Sequence, residues 1–209
     1  NIFNVMAEAA PDKVQAFTAL PCNARFYGIG PDDRPYSDHL FQGGGQGASA
    51  HGDGKSSVMF PTSAANTSIE LFETRVPMLV IEKSYVADSG GAGRQRGGLG
   101  QVIVTRKLLD DGRPAQVGLY PNGVGVPTPG LFKGRAGAES RAWVRNEAGE
   151  VLTDMGTGGL VVLAAPGEIT ELHLAGGSGY GDPLERPLDA VQRDLEGGYV
   201  TAAGAERDY

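Results

Sequence analysis

Few residues in this sequence have the type and spacing that chemistry demands. Its three histidines, His39, His51 and His173, stand far apart and form no HxH or HxxxH pair. A zinc site needs three or four convergent ligands, so no metal ligand is assigned. His173 falls in an apolar run and reads as a structural histidine. His51 lies in a glycine-rich stretch, GGGQGASAHGDG (43–54), two residues before Asp53. A His–Asp pair can orient a substrate or move a proton, which makes His51 and Asp53 the candidate catalytic residues. The six glycines of that stretch permit backbone conformations most residues resist, and a loop on a rigid scaffold is a common carrier of function. Gly43, Gly44 and Gly45 are therefore candidate substrate-binding positions. Asn66 and Glu70 join them, because they open a helix whose N-terminus favours an anion. Glu70 and Glu73 lie three apart with Arg75 nearby, the pattern of a surface ion-pair network. Arg94 and Arg96 sit among the glycines of GGAGRQRGGLG (90–100), from which long side chains can project. They are candidates for an interface or an anion contact. No GK[ST] follows this string and a strand-like run does, so it is neither a Walker A loop nor a dinucleotide fingerprint. Cys22 carries no local nucleophile signature and reads as structural.

The elements that must hold these residues follow from periodicity and turn chemistry. A helix ends near Ala10, stopped by Pro11. GIGPDDRP (28–35) is a turn. Ile69, Phe72 and Val76 share a helical face, capped by Thr67 or Ser68. MLVIEKSYV, QVIVTRKLL, AQVGLY, AWVRN, GLVVLAAP and ITELHLAGG read as strands. Hairpin turns are expected at Asp111–Gly112 and at 146–149. A helix from Pro187 to Asp194 puts Leu188, Val191 and Leu195 on one face, and Thr201 is a good cap for another. The fold class this implies is α+β, a single β-rich core with short edge helices and many glycine turns.

Composition narrows the function classes. The net charge is −7, with no Lys/Arg stripe, which excludes a phosphate-backbone reader. No apolar run approaches the roughly 20 residues of a bilayer span, so no membrane partner is expected. A lone cysteine has no internal disulfide partner and fits a reducing, cytoplasmic setting. Glycine, at 33 of 209 residues, follows no three-residue period, which excludes collagen.

Four strings in order resemble the hydantoinase B/oxoprolinase family: GGGQGA with a following DG (43–48, 53–54), NTSIELFETRVP (66–77), DSGGAGRQRGGLG (88–100) and GGSGYGDPLERPLDAVQRDLEGGYVTAAGAERDY (176–209). Ser178 makes GGSGYG depart from the family's more usual GGGYG. The resemblance implies that residues 1–209 are the C-terminal portion of a B-type subunit, with both ends cut. It also implies a small-molecule substrate and a hetero-oligomer with the remainder of that subunit and a hydantoinase A-type ATP-binding subunit. The partner would hold ATP and Mg2+, and any divalent metal would belong to the upstream part. The implied activity is ATP-dependent activation of a hydantoin, oxoproline or lactam carbonyl for ring opening. A ketone carboxylase subunit of the acetone or acetophenone type is the alternative, as is a non-catalytic scaffold. The isolated chain is expected to be inactive.

Overall fold

The computed structural model describes residues 2–62, 64–108 and 111–209. Among them are nine strands: β1 (Cys22–Ile29), β2 (Pro35–Gln42), β3 (Met78–Tyr85), β4 (Gln101–Lys107), β5 (Ala115–Leu119), β6 (Arg141–Arg145), β7 (Val151–Asp154), β8 (Gly159–Leu163) and β9 (Ile169–His173). The helices are α1 (Ile2–Met6), α2 (Ile69–Arg75), α3 (Leu188–Glu196) and α4 (Ala202–Asp208), with single 3-10 turns at Pro11–Lys13 and Pro183–Glu185. The strands form two antiparallel sheets, in the orders β2-β1-β5-β8 and β3-β4-β9-β6-β7. The α+β reading holds, and no described helix is long and apolar enough to cross a membrane.

Alternation along each strand fixes which side chains turn inward. β1 buries Cys22, Ala24 and Phe26, β5 buries Ala115, Val117 and Leu119, and β6 buries Ala142 and Val144. β9 contributes Leu172 and β4 contributes Ile103. These residues from both sheets form one core, so the sheets pack face to face. α2 packs against β2 and β3, an edge strand of each sheet. Ser68 caps it by accepting from the Leu71 N–H at 3.3 Å, and its Phe72 ring meets Phe26 edge-on at 4.9 Å.

One expected hairpin is not formed. β4 pairs with β3 and β9, whereas β5 pairs with β1 and β8. The chain around Asp111–Gly112 therefore crosses from one sheet to the other; Leu109 and Asp110 lie outside the described residues. Gly112 still takes the left-handed φ of +74° that a turn demands. A local turn signal cannot distinguish a hairpin from a crossover, because both need the same chain reversal. The turn at 146–149 does join a hairpin, β6 to β7.

The glycine strings form a second packed region beside the sandwich. Gly45 N–H donates to the Ala175 carbonyl at 3.0 Å, Gly98 N–H to Gln46 at 2.8 Å, and Gly177 N–H to Gly98 at 2.9 Å. Gly91 and Gly179 continue the pattern with the carbonyls of Gly177 and Arg135. Segments 43–54, 89–100, 131–138 and 174–181 thus lie backbone against backbone, with hardly any regular strand among them.

Candidate functional site

Five of the six glycines of the first string, all but Gly52, are there for space. None of Gly43, Gly44, Gly45, Gly47, Gly52 and Gly54 has a left-handed φ. Instead, a Cβ on Gly45 would overlap the Gly98 carbonyl, one on Gly47 the Ala16 carbonyl, and one on Gly54 the Gln46 carbonyl. Gly43 is held at both ends: its N–H donates to Asn66 Oδ1 at 3.0 Å, and its carbonyl accepts from Gln101 Nε2 at 2.7 Å. The expected substrate-facing loop is, between Gly43 and Ala48, mostly buried backbone.

His51 and Asp53 do not form the expected pair. His51 is exposed, and its ring Nε2 sits 2.9 Å from the Asp12 carbonyl. A carbonyl can only accept, so Nε2 carries a proton and donates to it. Asp53 turns to Arg186, which grips both carboxylate oxygens at 2.8 Å, and it accepts the Arg96 backbone N–H at 2.7 Å. Arg186 also reaches Asp194 at 2.7 Å, and Arg96 Nε meets the same carboxylate oxygen at 3.1 Å. The result is a neutral cluster of two arginines and two aspartates. The Arg96 guanidinium lies 5.2 Å from the Tyr199 ring centre, and that of Arg186 lies 5.8 Å from Tyr209.

Burial raises the Asp53 carboxyl, but hydrogen bonds and charge from Arg186, with help from Arg96, outweigh it and hold it below its usual range. The same contacts raise Arg186 despite the opposing effect of its burial. Burial pushes the Tyr209 hydroxyl up to about 12. The cluster ties α3 and α4 to the glycine strings, as does Asp88, which accepts from Thr201 N at 2.8 Å and Thr201 Oγ1 at 2.7 Å.

Two further expectations about charge need correction. Arg96 does not project: it is 4% exposed, because Asp194 pairs with it inside. Arg94, by contrast, is exposed. Glu70, Glu73 and Arg75 share no network. Glu70 accepts from Ser68 Oγ at 2.6 Å, Glu73 from Val80 N at 2.7 Å, and Arg75 meets Asp38 at 3.4 Å. Cys22 is buried, its thiol pushed up to about 11 by that burial, which suits a core residue. His173 meets Glu171 at 2.6 Å beside the Trp143 ring. Among the described residues no three His, Cys, Asp or Glu side chains converge as metal ligands.

A concavity suited to a small organic molecule lies elsewhere. A cavity of about 410 Å³ opens between α1 and the segments 17–20, 122–129 and 138–139. Phe17, Leu20, Val124, Val126, Pro127 and Pro129 make its apolar wall, while Thr18, Asn122, Thr128 and Glu139 supply polar groups. Ala19 and Ala175 form its floor, and both press on Gly44, where a Cβ would stand 2.6 Å from Ala19 Cβ and 2.8 Å from the Ala175 carbonyl. Of the sequence candidates, then, Gly44 underlies the cavity, whereas His51 and Asp53 do not line it. The cavity residues were missed because they come from five separate stretches, each unremarkable alone. Asp194 did leave a signal: it sits four residues after Ala190 on the inward side of α3, where a carboxylate demands a buried cation.

Residues 1–183 match the family model described as hydantoinase B/oxoprolinase. The chain belongs to that family. It is 37% identical over 149 residues to the caprolactamase subunit beta of Pseudomonas jessenii, covering 68% of this chain and 24% of that protein. It is 27% identical over 197 residues to the acetophenone carboxylase delta subunit of Aromatoleum aromaticum, covering 79% and 28%. The crystal structure of ATP-dependent caprolactamase from Pseudomonas jessenii matches with a TM-score of 0.76 and 27% identity, over 98% of this chain and 36% of that one. The chain thus spans about a quarter of the length of these curated family members.

Proposed function

We propose that this chain is a component of an ATP-dependent enzyme that activates the carbonyl of a cyclic amide or imide for ring-opening hydrolysis, and that its apolar cavity seats the ring. The observation that carries this reading is the fold match to caprolactamase along nearly the whole chain. The cavity supports it on chemical grounds. A lactam or hydantoin ring is compact, largely apolar, and bears an amide edge. Walls such as Phe17, Val124 and Val126 suit the ring, and Asn122, Thr18 and Thr128 suit that edge. ATP and Mg2+ are assigned to a hydantoinase A-type partner, in a hetero-oligomer that includes the rest of a B-type subunit, for which residues 1–209 form the C-terminal portion. The likeness to acetophenone carboxylase keeps a second reading, a ketone carboxylase subunit. A ketone would use the same apolar wall and present one carbonyl.

The test is ATP-dependent turnover by the assembled enzyme on hydantoins, lactams and ketones, with and without bicarbonate. Ring opening without bicarbonate is the expected result. Turnover of ketones alone, dependent on bicarbonate, would replace the first reading with the second. Val126 is exposed at 67%, so Val126→Trp can narrow the cavity without disturbing the core. It is expected to raise KM at least about tenfold with Tm unchanged. His51→Ala is expected to leave kcat/KM within about twofold. A tenfold loss in His51→Ala at unchanged Tm would instead return a catalytic role to that residue.

A further inference from the structure

A second concavity, of about 360 Å³, opens at the sandwich edge beside β3 and is lined by Ser57, Asn66, Lys83, Ser84, Tyr85 and Gln101. No carboxylate is among these lining residues. Lys83 pairs with Ile103 and Tyr85 with Gln101 across β3 and β4, and directly opposed residues share a face. Ile103 belongs to the core between the sheets, so Lys83 opposite it, and Tyr85 two residues on, lie on the inward face at the open edge of the sheet. From the glycine side comes Ser57, whose backbone takes a left-handed φ of +52° and whose buried Oγ has no protein partner. A non-glycine residue pays a cost for that conformation, and it sets Ser57 in the lining of the cleft with its hydroxyl unpaired just beneath the surface.

The remaining wall is rigid. Asn66 accepts from Gly43 N–H and donates to the Ser57 carbonyl at 3.0 Å, and Gln101 donates to the Gly43 carbonyl. Ser84 is engaged with Glu82 at 2.6 Å. Burial lowers the pKa of the Lys83 amine, and Glu70 opposes this through space, without a hydrogen bond to it. Glu70 itself is exposed and occupied by Ser68 Oγ.

We infer that this cleft binds a small oxyanion, a carboxylate or a phosphate, held by the Lys83 ammonium and the Ser57 hydroxyl, with the Tyr85 hydroxyl at the rim. An ammonium half out of water gains most from an anionic partner, and charge-assisted hydrogen bonds are the stronger ones. The site is separate from the apolar cavity, with no lining residue in common, and does not rest on the proposed function.

The test follows the 13C resonance of reductively methylated Lys83 in the intact protein, assigned by its loss in Lys83→Arg, during titration with inorganic phosphate and, separately, acetate. The Lys133 resonance serves as the exposed reference, since that amine pairs with Asp182 on another surface. A saturable shift of Lys83 alone is the expected result. Saturation by phosphate only identifies a phosphoryl ligand, and saturation by acetate identifies a carboxylate. Ser57→Gly removes the hydroxyl while suiting the left-handed backbone, so folding is preserved, and it is expected to weaken the affinity by about fivefold or more. A Lys83 resonance that moves no more than that of Lys133, or an affinity untouched by Ser57→Gly, overturns the proposal.

Discussion

Phe72 and Gly45 are both buried, yet they hold the molecule together in opposite ways. In the sandwich, side chains fill the space between two sheets, and Phe72 does so by meeting Phe26 across the core. In the glycine layer the backbones fill that space themselves, and Gly45 serves by having nothing to insert between its own chain and Gly98. The first region draws its stability from apolar area removed from water. The second draws on backbone hydrogen bonds and close van der Waals contact, which need every neighbour to remain at its distance. A side-chain core can repack around a smaller residue. A backbone layer cannot repack around a larger one, because peptide planes have no rotamers to change.

The comparison breaks first at Gly45. Gly45→Ala is expected to destabilise by about 3 kcal/mol or more, the severe end of overpacking, and to be as damaging as Phe72→Ala, a truncation worth about 3–5 kcal/mol. Gly52→Ala, two residues from the tightly packed Gly54 but with nothing within 4 Å of its Cβ, is the matched control and should be silent. Chemical denaturation of the three variants checks this. Equal behaviour of Gly45→Ala and Gly52→Ala would show that the layer yields, and would remove the distinction between the two regions.

The ion cluster joins buried charged side chains to the glycine layer, and it gives the next effect. Asp194→Ala leaves Arg96 and Arg186 buried with one carboxylate between them, and breaking a buried pair costs about 3–5 kcal/mol. The loss should appear as early release of α3 and α4, read by hydrogen exchange at the Thr201 and Gly204 amides. Asp53 adds a pH dependence. Its folded pKa is depressed, so the stability it contributes is complete above its ordinary value of 3.8 and is lost as pH falls through the lower folded value. Acid unfolding of the Asp53→Asn variant should accordingly be less steep below pH 3.8 than that of the parent. An unchanged acid limb would show that the Asp53–Arg186 contact does not couple to stability.

The sandwich was largely legible in the sequence. Period-two burial in AWV and ITEL and the caps at Ser68 and Thr201 are local signals, and local structure obeyed them, whereas the strand at CNARF was not read from the sequence. Leu188 shows the limit: it shares a helical stripe with Val191 and Leu195 but is 85% exposed, while Asp194 goes inside. Periodicity ranks faces by hydrophobicity and cannot weigh an arginine supplied from elsewhere in the chain. The candidate binding surfaces were less legible for the same reason. Asn66 and Glu70 were found beside what proves to be a cleft, but Lys83 and Ser57 complete it from a strand edge and a strained turn that no motif marks. The glycine strings were visible at once, although the reason for them was not: a glycine needed for space and one needed for φ look alike in a sequence.

That last distinction yields the smallest and sharpest test. Gly149, in the β6–β7 turn, has φ +83° and nothing within 4 Å of a would-be Cβ. Its requirement is conformational alone. Gly149→Ala should therefore cost about 1 kcal/mol, the order of the left-handed penalty for an L-residue. Asparagine tolerates that region better, because its short polar side chain hydrogen-bonds locally, so Gly149→Asn should recover most of the loss. At Gly45 the order reverses: φ is ordinary, the obstacle is the Gly98 carbonyl, and asparagine is larger than alanine. Gly45→Asn should thus be at least as damaging as Gly45→Ala. Thermal denaturation of the four variants separates the two causes. A rescue by asparagine at Gly45, or none at Gly149, would mean that space and backbone angle have been assigned to the wrong glycines.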